Sequence, residues 1–400
     1  MVVPVTYMGT KRQLAEHVKA ISNDCQPGPF LDAFAGMGSV GTAIGASRPV
    51  WSNDKQKFAC MVAEAQFKSR AGPPDLNPYL SILQASIDQS IENIDREVEE
   101  LLIIENKAVE LKDLLLLSKV YDAGRDRKGF PNNPEKRSGV FLDRYAGTYF
   151  GFRQCLEIDA VRIFIEKLFE CGIINADGHR WLIIGLAAAI SRTSTTTGHF
   201  AQPLKPKHNN LPKFVAQRKR SIQAEFIESV KGLRPIGTSR WRRKNKVFAE
   251  DAERLIGGFR SEKAKPSVIY ADPPYTKDQY SRFYHVYETL VLNDFPEVSG
   301  EGLYRNDRFT SQYSLASLVD DAIETLIAQC AEINAGLILS YPTNGLLDNS
   351  VEIIPSMFKR HYGSLPSSVQ LPHVHSTLGG SKGKPRSAVT EVIYWVPGAW

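Results

Sequence analysis

The sequence predicts an α/β protein: a sheet of mostly parallel strands with helices between them, interrupted by a large, mainly helical insertion. Residues 28–55, GPFLDAFAGMGSVGTAIGASRPVWSNDK, run strand, glycine turn, small-residue helix and second strand ending in an acid, the alternation of a parallel αβ unit. From about residue 71, after the breaker AGPPDLNP, apolar residues recur at three- and four-residue steps, as in KAVELKDLLLLSKVYDA and YFGFRQCLEIDAVRIFIEKLFE. After Val247 a strand-and-turn rhythm returns in VFAED, SVIYADPPY, AGLILSYPTNG and EVIYWV. The expected organisation is one αβ domain built from residues 1–70 and 247–400, with residues 71–246 as a helical, basic insertion.

Bulk properties narrow the function classes. A chain of 400 residues that is 42% hydrophobic and 23% charged can bury a full core. Its longest apolar run, WLIIGLAAAI, is half of the roughly 20 residues a membrane helix needs, so no membrane association is expected. The start lacks the charged-then-apolar order of a secretory signal. The five cysteines are odd in number and never spaced C-x-x-C, which reads as reduced thiols in a cytoplasm, with no disulfide framework and no zinc site. Charge is uneven: Lys205 to Lys246 holds thirteen Lys and Arg against Glu225 and Glu228, a net +11 in a chain of +5 overall. Such polarity is the footprint of a nucleic-acid partner, or of a solvated basic face.

The glycine turn offers a nucleotide-type site. Gly36, Gly38 and Gly41 form G-x-G-x-x-G between a strand and a helix, where backbone and ligand can approach closely. Asp32 lies just ahead of the glycines, where it would repel a pyrophosphate and welcome a cofactor carrying a positive amino group. Asp54 ends the next strand, in the place of a ribose-binding acid. Any one of these glycines would equally serve helix packing.

A second motif, YADPPYT at 270–276, ends a buried strand in a group that cannot continue it. Pro273 and Pro274 lack N–H groups and stop the ladder, leaving carbonyl acceptors on that side. Asp272 and the Pro273 carbonyl can each accept one N–H of a nucleobase amino group, directing its lone pair at an electrophile. Tyr275 supplies a flat face on which a base taken out of its duplex can stack. His285, ten residues on, reads as a helix-side hydrogen-bonding residue.

Together these motifs resemble the Dam-like adenine-N(6) DNA methyltransferases, which use S-adenosylmethionine. YMGTKRQL (7–14) is similar to the family's N-terminal motif, which implies that Tyr7 and Lys11 line the methionine end of the cofactor. DAFAGMGSVG (32–41) resembles its cofactor loop, with Asp32, Phe34, Gly36 and Gly38, and SNDKQKFA (52–59) its ribose-binding strand end, with Asp54. FAEDA (248–252) places Asp251 where the family binds the cofactor's adenine; DPPY (272–275) resembles the catalytic signature, and QYSRFYHVYETL (279–290) the stretch after it. The resemblance implies a Rossmann-like class I methyltransferase sheet with helices on both faces, direct displacement on a flipped-out adenine, S-adenosylhomocysteine as product, and no metal. It also puts target recognition in the insertion. Double-stranded DNA is the implied partner, with a cognate restriction endonuclease as a further one, in a bacterial or phage-encoded setting.

For DNA contacts the candidates are Lys205 and Lys207 in SRTSTTTGHFAQPLKPKHNN (191–210), a segment read as too polar for a core. Arg242, Arg243 and Lys244 beside Trp241 suit backbone binding or groove insertion, and Lys382 lies in the basic loop GGSKGKPRS. Cytosine-N(4) or RNA methylation would use the same geometry. A nicotinamide-dinucleotide oxidoreductase and an inactive DNA-binding protein remain as readings from other classes.

Overall fold

A computed structural model describes residue 5 and residues 12–126, 139–374 and 388–398. At its centre is a seven-stranded sheet made of β1 (Phe30–Asp32), β2 (Val50–Asn53), β3 (Lys246–Phe248), β4 (Val268–Ala271), β7 (Gly336–Pro342), β8 (Ser367–Val374) and β9 (Ala388–Val396). A separate two-stranded ribbon joins β5 (Val298–Ser299) to β6 (Tyr304–Arg305). The sheet order is β3-β2-β1-β4-β7-β9-β8, parallel from β3 to β7, with β9 antiparallel to both its neighbours. This mixed α/β arrangement is consistent with the class I methyltransferase fold.

Period-two alternation sends successive strand residues to opposite faces. Phe30, Val50, Val268, Tyr270, Ile338 and Ile393 meet α1 (Arg12–Asn23), α2 (Ser39–Ile44) and α3 (Lys57–Lys68) on one side. Leu31, Trp51, Ile269, Leu337, Leu339 and Tyr394 meet α13 (Ala252–Gly258), α15 (Val319–Glu332) and α16 (Ser350–Tyr362) on the other. With both faces covered, the central strands read as continuous apolar runs, which is why the sequence exposed them. β8, SSVQLPHV, escaped that reading: it is an edge strand whose Val369 and Leu371 are only partly buried and whose Pro372 is tolerable at an edge.

Between β2 and β3 the chain after α3 is helical: α4 (Leu80–Glu92), α5 (Arg96–Leu111), α6 (Leu114–Asp126), α7 (Val140–Tyr145), α8 (Phe152–Glu170), α9 (Ala176–Thr193), α10 (Leu211–Lys219), α11 (Ile222–Gly232) and α12 (Ser239–Arg242). WLIIGLAAAI is the buried middle of α9, and Gly185 lets α11 approach so closely that a Cβ there would lie 2.4 Å from Val230. KAVELKDLLLLSKVYDA is two helices, because Lys112 turns left-handed at φ 55° and Asp113 caps α6 by accepting from Leu115 N (2.8 Å) and Leu116 N (3.1 Å). This helical core also takes in α3 and α14 (Ser281–Leu292), the helix that follows the DPPY turn.

The other end of the helical region belongs to the sheet: Trp241 sits in the core on the α1 side, its indole N–H donating to the Arg48 carbonyl. Among the described residues no helix is long and apolar enough to cross a membrane.

Asp159 of α8 caps α7 across the helical core, accepting from Phe141 N and Leu142 N at 2.9 Å each, and burial pushes its carboxyl up to about 7. Asp159→Ala strands two buried N–H groups and is expected to cost about 2–3 kcal/mol in urea denaturation.

Candidate active site

β1 is the point where the sheet order reverses: β2 leaves it on one side and β4 on the other. In such sheets ligands bind beyond the carboxyl ends of the strands flanking the reversal. A cavity of about 500 Å³ opens there. Asp32, Phe34, Gly36, Asp54, Asp251, Asp272, Pro273, Pro274 and Tyr275 all line it. The glycine turn and the DPPY turn, roughly 235 residues apart in sequence, thus share one wall system.

The parallel register makes this meeting unavoidable. Asp32, the last residue of β1, sits opposite Tyr270 of β4, and Ala33 N donates to the Tyr270 carbonyl at 2.9 Å. Asp272 follows β4 directly. On the other flank, Asn53 ends β2 and its side chain ties three strand ends: Nδ2 donates to Ala33 O and Glu250 O at 3.1 Å each, and Oδ1 accepts from Glu250 N. Asp54 then accepts from Gly36 N at 2.9 Å through Oδ2 and from Gln56 N at 2.8 Å through Oδ1.

Carboxylates outnumber cations in the cavity, where Lys55 and Arg254 are the basic residues among the described lining. Asp32 is 2% exposed, and its Oδ1 has no hydrogen-bond partner among the described residues. Burial, then the Asp272 and Asp54 charges, push its carboxyl up to about 8. Burial pushes Asp54 up to about 6 against the N–H groups that favour its charge. A clustered, desolvated set of carboxylates favours a cationic ligand. Asp251 is exposed at the rim and pairs with Lys55.

Aromatic surface completes the cavity. Phe34 packs edge-on against Tyr313, ring centres 5.3 Å apart. Tyr275 is partly buried against the cluster on the α13 and α15 side, its backbone carbonyl accepting from Leu346 N at 3.0 Å. Burial, and then Tyr280 and Asp272, hold its phenol far above the ordinary value. The opposing wall is residues 309–313, a segment that the sequence reading passed over. Its only sequence signal is the aromatic pair Phe309 and Tyr313.

Several sequence expectations change. Gly38 does not line the cavity; its φ of +71° makes the turn, and a Cβ would come within 2.8 Å of the Phe67 ring, so it serves turn geometry and packing. His285 is buried, neutral and pushed down to about 3 by burial, with Nε2 against Phe200 O at 3.0 Å, a hydrogen-bonding residue as expected. The stretch 191–210 is in part core: Thr193, Ser194, Thr195, Thr196 and Phe200 are buried, and Thr195 Oγ1 donates to the carbonyls of Thr148 and Tyr149.

Arg242 is the clearest correction. It is 7% exposed, and its guanidinium donates to the carbonyls of Ser69, Arg70, Ile236 and Gly237, so it ties chain to chain and faces no partner. Trp241 is likewise buried and cannot enter a groove. Arg218 is inside too, beside Glu105 at 3.5 Å. Charge counting therefore overstates the free positive charge of the basic segment.

Arg243, Lys244 and Lys207 are exposed, as is Lys205, which pairs with Asp122 at 3.2 Å. Lys205 and Lys207 border an open groove of about 690 Å³ with Arg125, Asn209 and Glu301. Tyr7, Lys11 and Lys382 lie outside the described residues. Among the described residues no group of three His, Cys, Asp or Glu is arranged to hold a metal ion.

Residues 244–334, from β3 through the DPPY turn to α15, match the sequence profile of D12 class N6 adenine-specific DNA methyltransferases. Over this segment the chain is similar to that family. Modification methylase LlaI of Lactococcus lactis subsp. lactis is 25% identical over 326 residues, 81% of this chain and 44% of the relative. Type II methyltransferase M.FokI of Planomicrobium okeanokoites is 24% identical over 397 residues, 98% of this chain and 52% of the relative. Type II methyltransferase M.NlaIII of Neisseria lactamica is 29% identical over 213 residues, 53% of this chain and 56% of the relative. The chain spans about half the length of the curated relatives it matches. The family resemblance read from the motifs is thus borne out.

Arg242→Ala is expected to lower stability by about 2–3 kcal/mol, because four carbonyls lose a buried donor. The exposed neighbour Arg243→Ala should stay within about 0.5 kcal/mol. Paired thermal melts check this.

Proposed function

We propose that this D12-class relative is a DNA methyltransferase that methylates the exocyclic N6 of adenine, using S-adenosylmethionine and a flipped-out base. The observation that carries the reading is the single cavity lined by the glycine turn, three aspartates and the DPPY turn. Three buried or half-buried carboxylates with an orphaned oxygen on Asp32 fit a ligand that is positive at both its amino group and its sulfonium. They do not fit a dinucleotide pyrophosphate, which the same charges would repel.

S-adenosylmethionine, when bound, supplies an electrophilic methyl group. The chain's own residues do the rest. Asp32 is suited to the cofactor's amino group, Asp54 to its ribose, and Phe34 and Asp251 to the adenine end. Asp272 and the Pro273 carbonyl would accept the two N–H bonds of the target amino group, localising a lone pair that conjugation otherwise withdraws into the ring. The Asp272 carboxylate would also offset the positive charge that develops on the attacking nitrogen. Tyr275 would stack on the base.

In this reading residues 1–70 and 247–400 are the catalytic parts and 71–246 carries target recognition. Lys205, Lys207, Arg243 and Lys244 are candidates for phosphate contact. The names of the relatives, modification methylase and type II methyltransferase, support a role in a restriction-modification system in a bacterial cytoplasm, with a cognate endonuclease as partner.

Two experiments test this. Incubation of the purified chain with labelled S-adenosylmethionine and duplex DNA, followed by nucleoside mass spectrometry, should yield N6-methyladenine. N4-methylcytosine would overturn the base assignment, and label in RNA alone would overturn the substrate. Asp272→Ala should lose at least about a hundredfold in rate.

Cofactor binding should also release a proton. Asp32, held up to about 8, is largely protonated at pH 6–7, and a cationic ligand favours its carboxylate. Affinity is therefore expected to rise with pH between 5.5 and 7.5, by at most about tenfold per unit for each proton released. Calorimetry in buffers of different ionisation enthalpy reads the released proton directly. Asp32→Asn should weaken binding and flatten the slope.

A further inference from the structure

α3 begins where Asp54 ends the cofactor side of the cavity, and its own sequence leaves its start poorly satisfied. Gln56, the residue before the first turn, makes no side-chain cap, and no acid lies in that turn. Helix N-termini carry unpaired N–H groups and partial positive charge that need an acceptor. Glu288 provides one from α14. Its Oε1 accepts from Phe58 N at 2.8 Å and its Oε2 from Lys57 N at 3.2 Å. The neighbouring Tyr287 stacks on Phe58, ring centres 4.6 Å apart, so helix and cap are fixed at the same place.

The hydrogen bonds continue into the cavity. Asp54 Oδ1 accepts from Gln56 N, one residue before the N–H groups held by Glu288, and its Oδ2 accepts from Gly36 N in the glycine turn. A line of contacts therefore runs from α14 through the start of α3 to Asp54 and Gly36. The lead into α14 holds the opposite wall: Gln279 Oε1 accepts from Ser311 N at 2.7 Å, and Ser281 Oγ donates to Phe309 O at 2.8 Å. The element that starts just beyond DPPY thus braces both sides of the cavity.

We propose that Glu288 is a positioning residue for the cofactor, which sets Asp54 by capping α3 from α14. The proposal rests on reading this cavity as an S-adenosylmethionine site. It assigns Glu288 no contact with either substrate.

The test uses the full chain. Glu288→Gln keeps the size of the side chain and one acceptor but faces the second N–H with an amide donor. S-adenosylmethionine affinity by calorimetry is expected to fall about tenfold, while DNA affinity and the single-turnover rate at saturating cofactor stay within about twofold. In the double variant with Asp54→Asn, the loss should not exceed that of Asp54→Asn alone, because Glu288 acts through Asp54. Unchanged cofactor affinity in Glu288→Gln, additive losses in the double variant, or equal losses in cofactor affinity, DNA affinity and rate would each overturn the proposal. Should Glu288→Gln not fold, wild-type hydrogen exchange decides: the Lys57 and Phe58 amides should gain protection when cofactor binds, and no gain would overturn it. If the wild-type chain binds no S-adenosylmethionine, the reading of the cavity itself fails; if it binds and Glu288→Gln binds equally, only the positioning role does.

Discussion

β1 ends in Asp32, and an aspartate directly follows each of the two parallel strands beside it, Asp272 after β4 and Asp54 after β2. Burial first, and then repulsion from Asp272 and Asp54, holds the Asp32 carboxyl up to about 8. A fold does not gather them for stability, since each is costly to ionise there. In the proposed reading, a ligand that brings positive charge accounts for their presence. Much of the surrounding structure compensates for that arrangement. Asn53 ties the three strand ends together, Gly36 and Gln56 give N–H groups to Asp54, and Glu288 holds the helix that follows it.

What the sequence revealed was the part governed by local chemistry. Asp32, Gly36, Asp54, Asp272, Pro273 and Tyr275 are legible because each sits at a strand end marked by an apolar run on one side and a breaker on the other. The strands themselves were visible because both faces of the sheet are covered. Asn53, Glu288 and residues 309–313 were not visible. Asn53 reads as any polar residue at a strand end, Glu288 as any acid on an amphipathic helix, and the 309–313 segment as an ordinary loop. Their use depends on partners 20 to 230 residues and more away, which no local pattern carries.

The basic segment shows the opposite failure, an over-reading of composition. A count of Lys and Arg treats every cation as solvated, but Arg218 and Arg242 are buried, and Arg220 is paired with Glu225. A guanidinium that presents several donors is as useful for tying off main-chain carbonyls at a junction as for binding phosphate. Arg242 performs the first task where the helical region returns to the sheet. Polarity misled in the same way at Thr193–Thr196, whose hydroxyls are buried because short loops between packed helices need side chains to satisfy backbone carbonyls.

The shared core decides how the helical region relates to the cavity. A recognition module joined by linkers would carry its own core, with few apolar contacts to the rest. Here α3 and α14 contribute Phe58, Val62, Phe283, Val286 and Tyr287 to the same cluster as Phe150, Phe200 and Leu182 of the helical region. Tyr149 reinforces the join, donating from one hydroxyl toward the carbonyls of Phe200 and Gly302. A close-packed core transmits displacement, because it cannot absorb a shift by compressing. Any displacement of the helical region is therefore delivered to α14 and α3. Those two helices begin directly after residues that line the cavity, α3 after Gln56 and α14 after Tyr280. The helical region and the walls of the cavity are joined in this chain through one packed core.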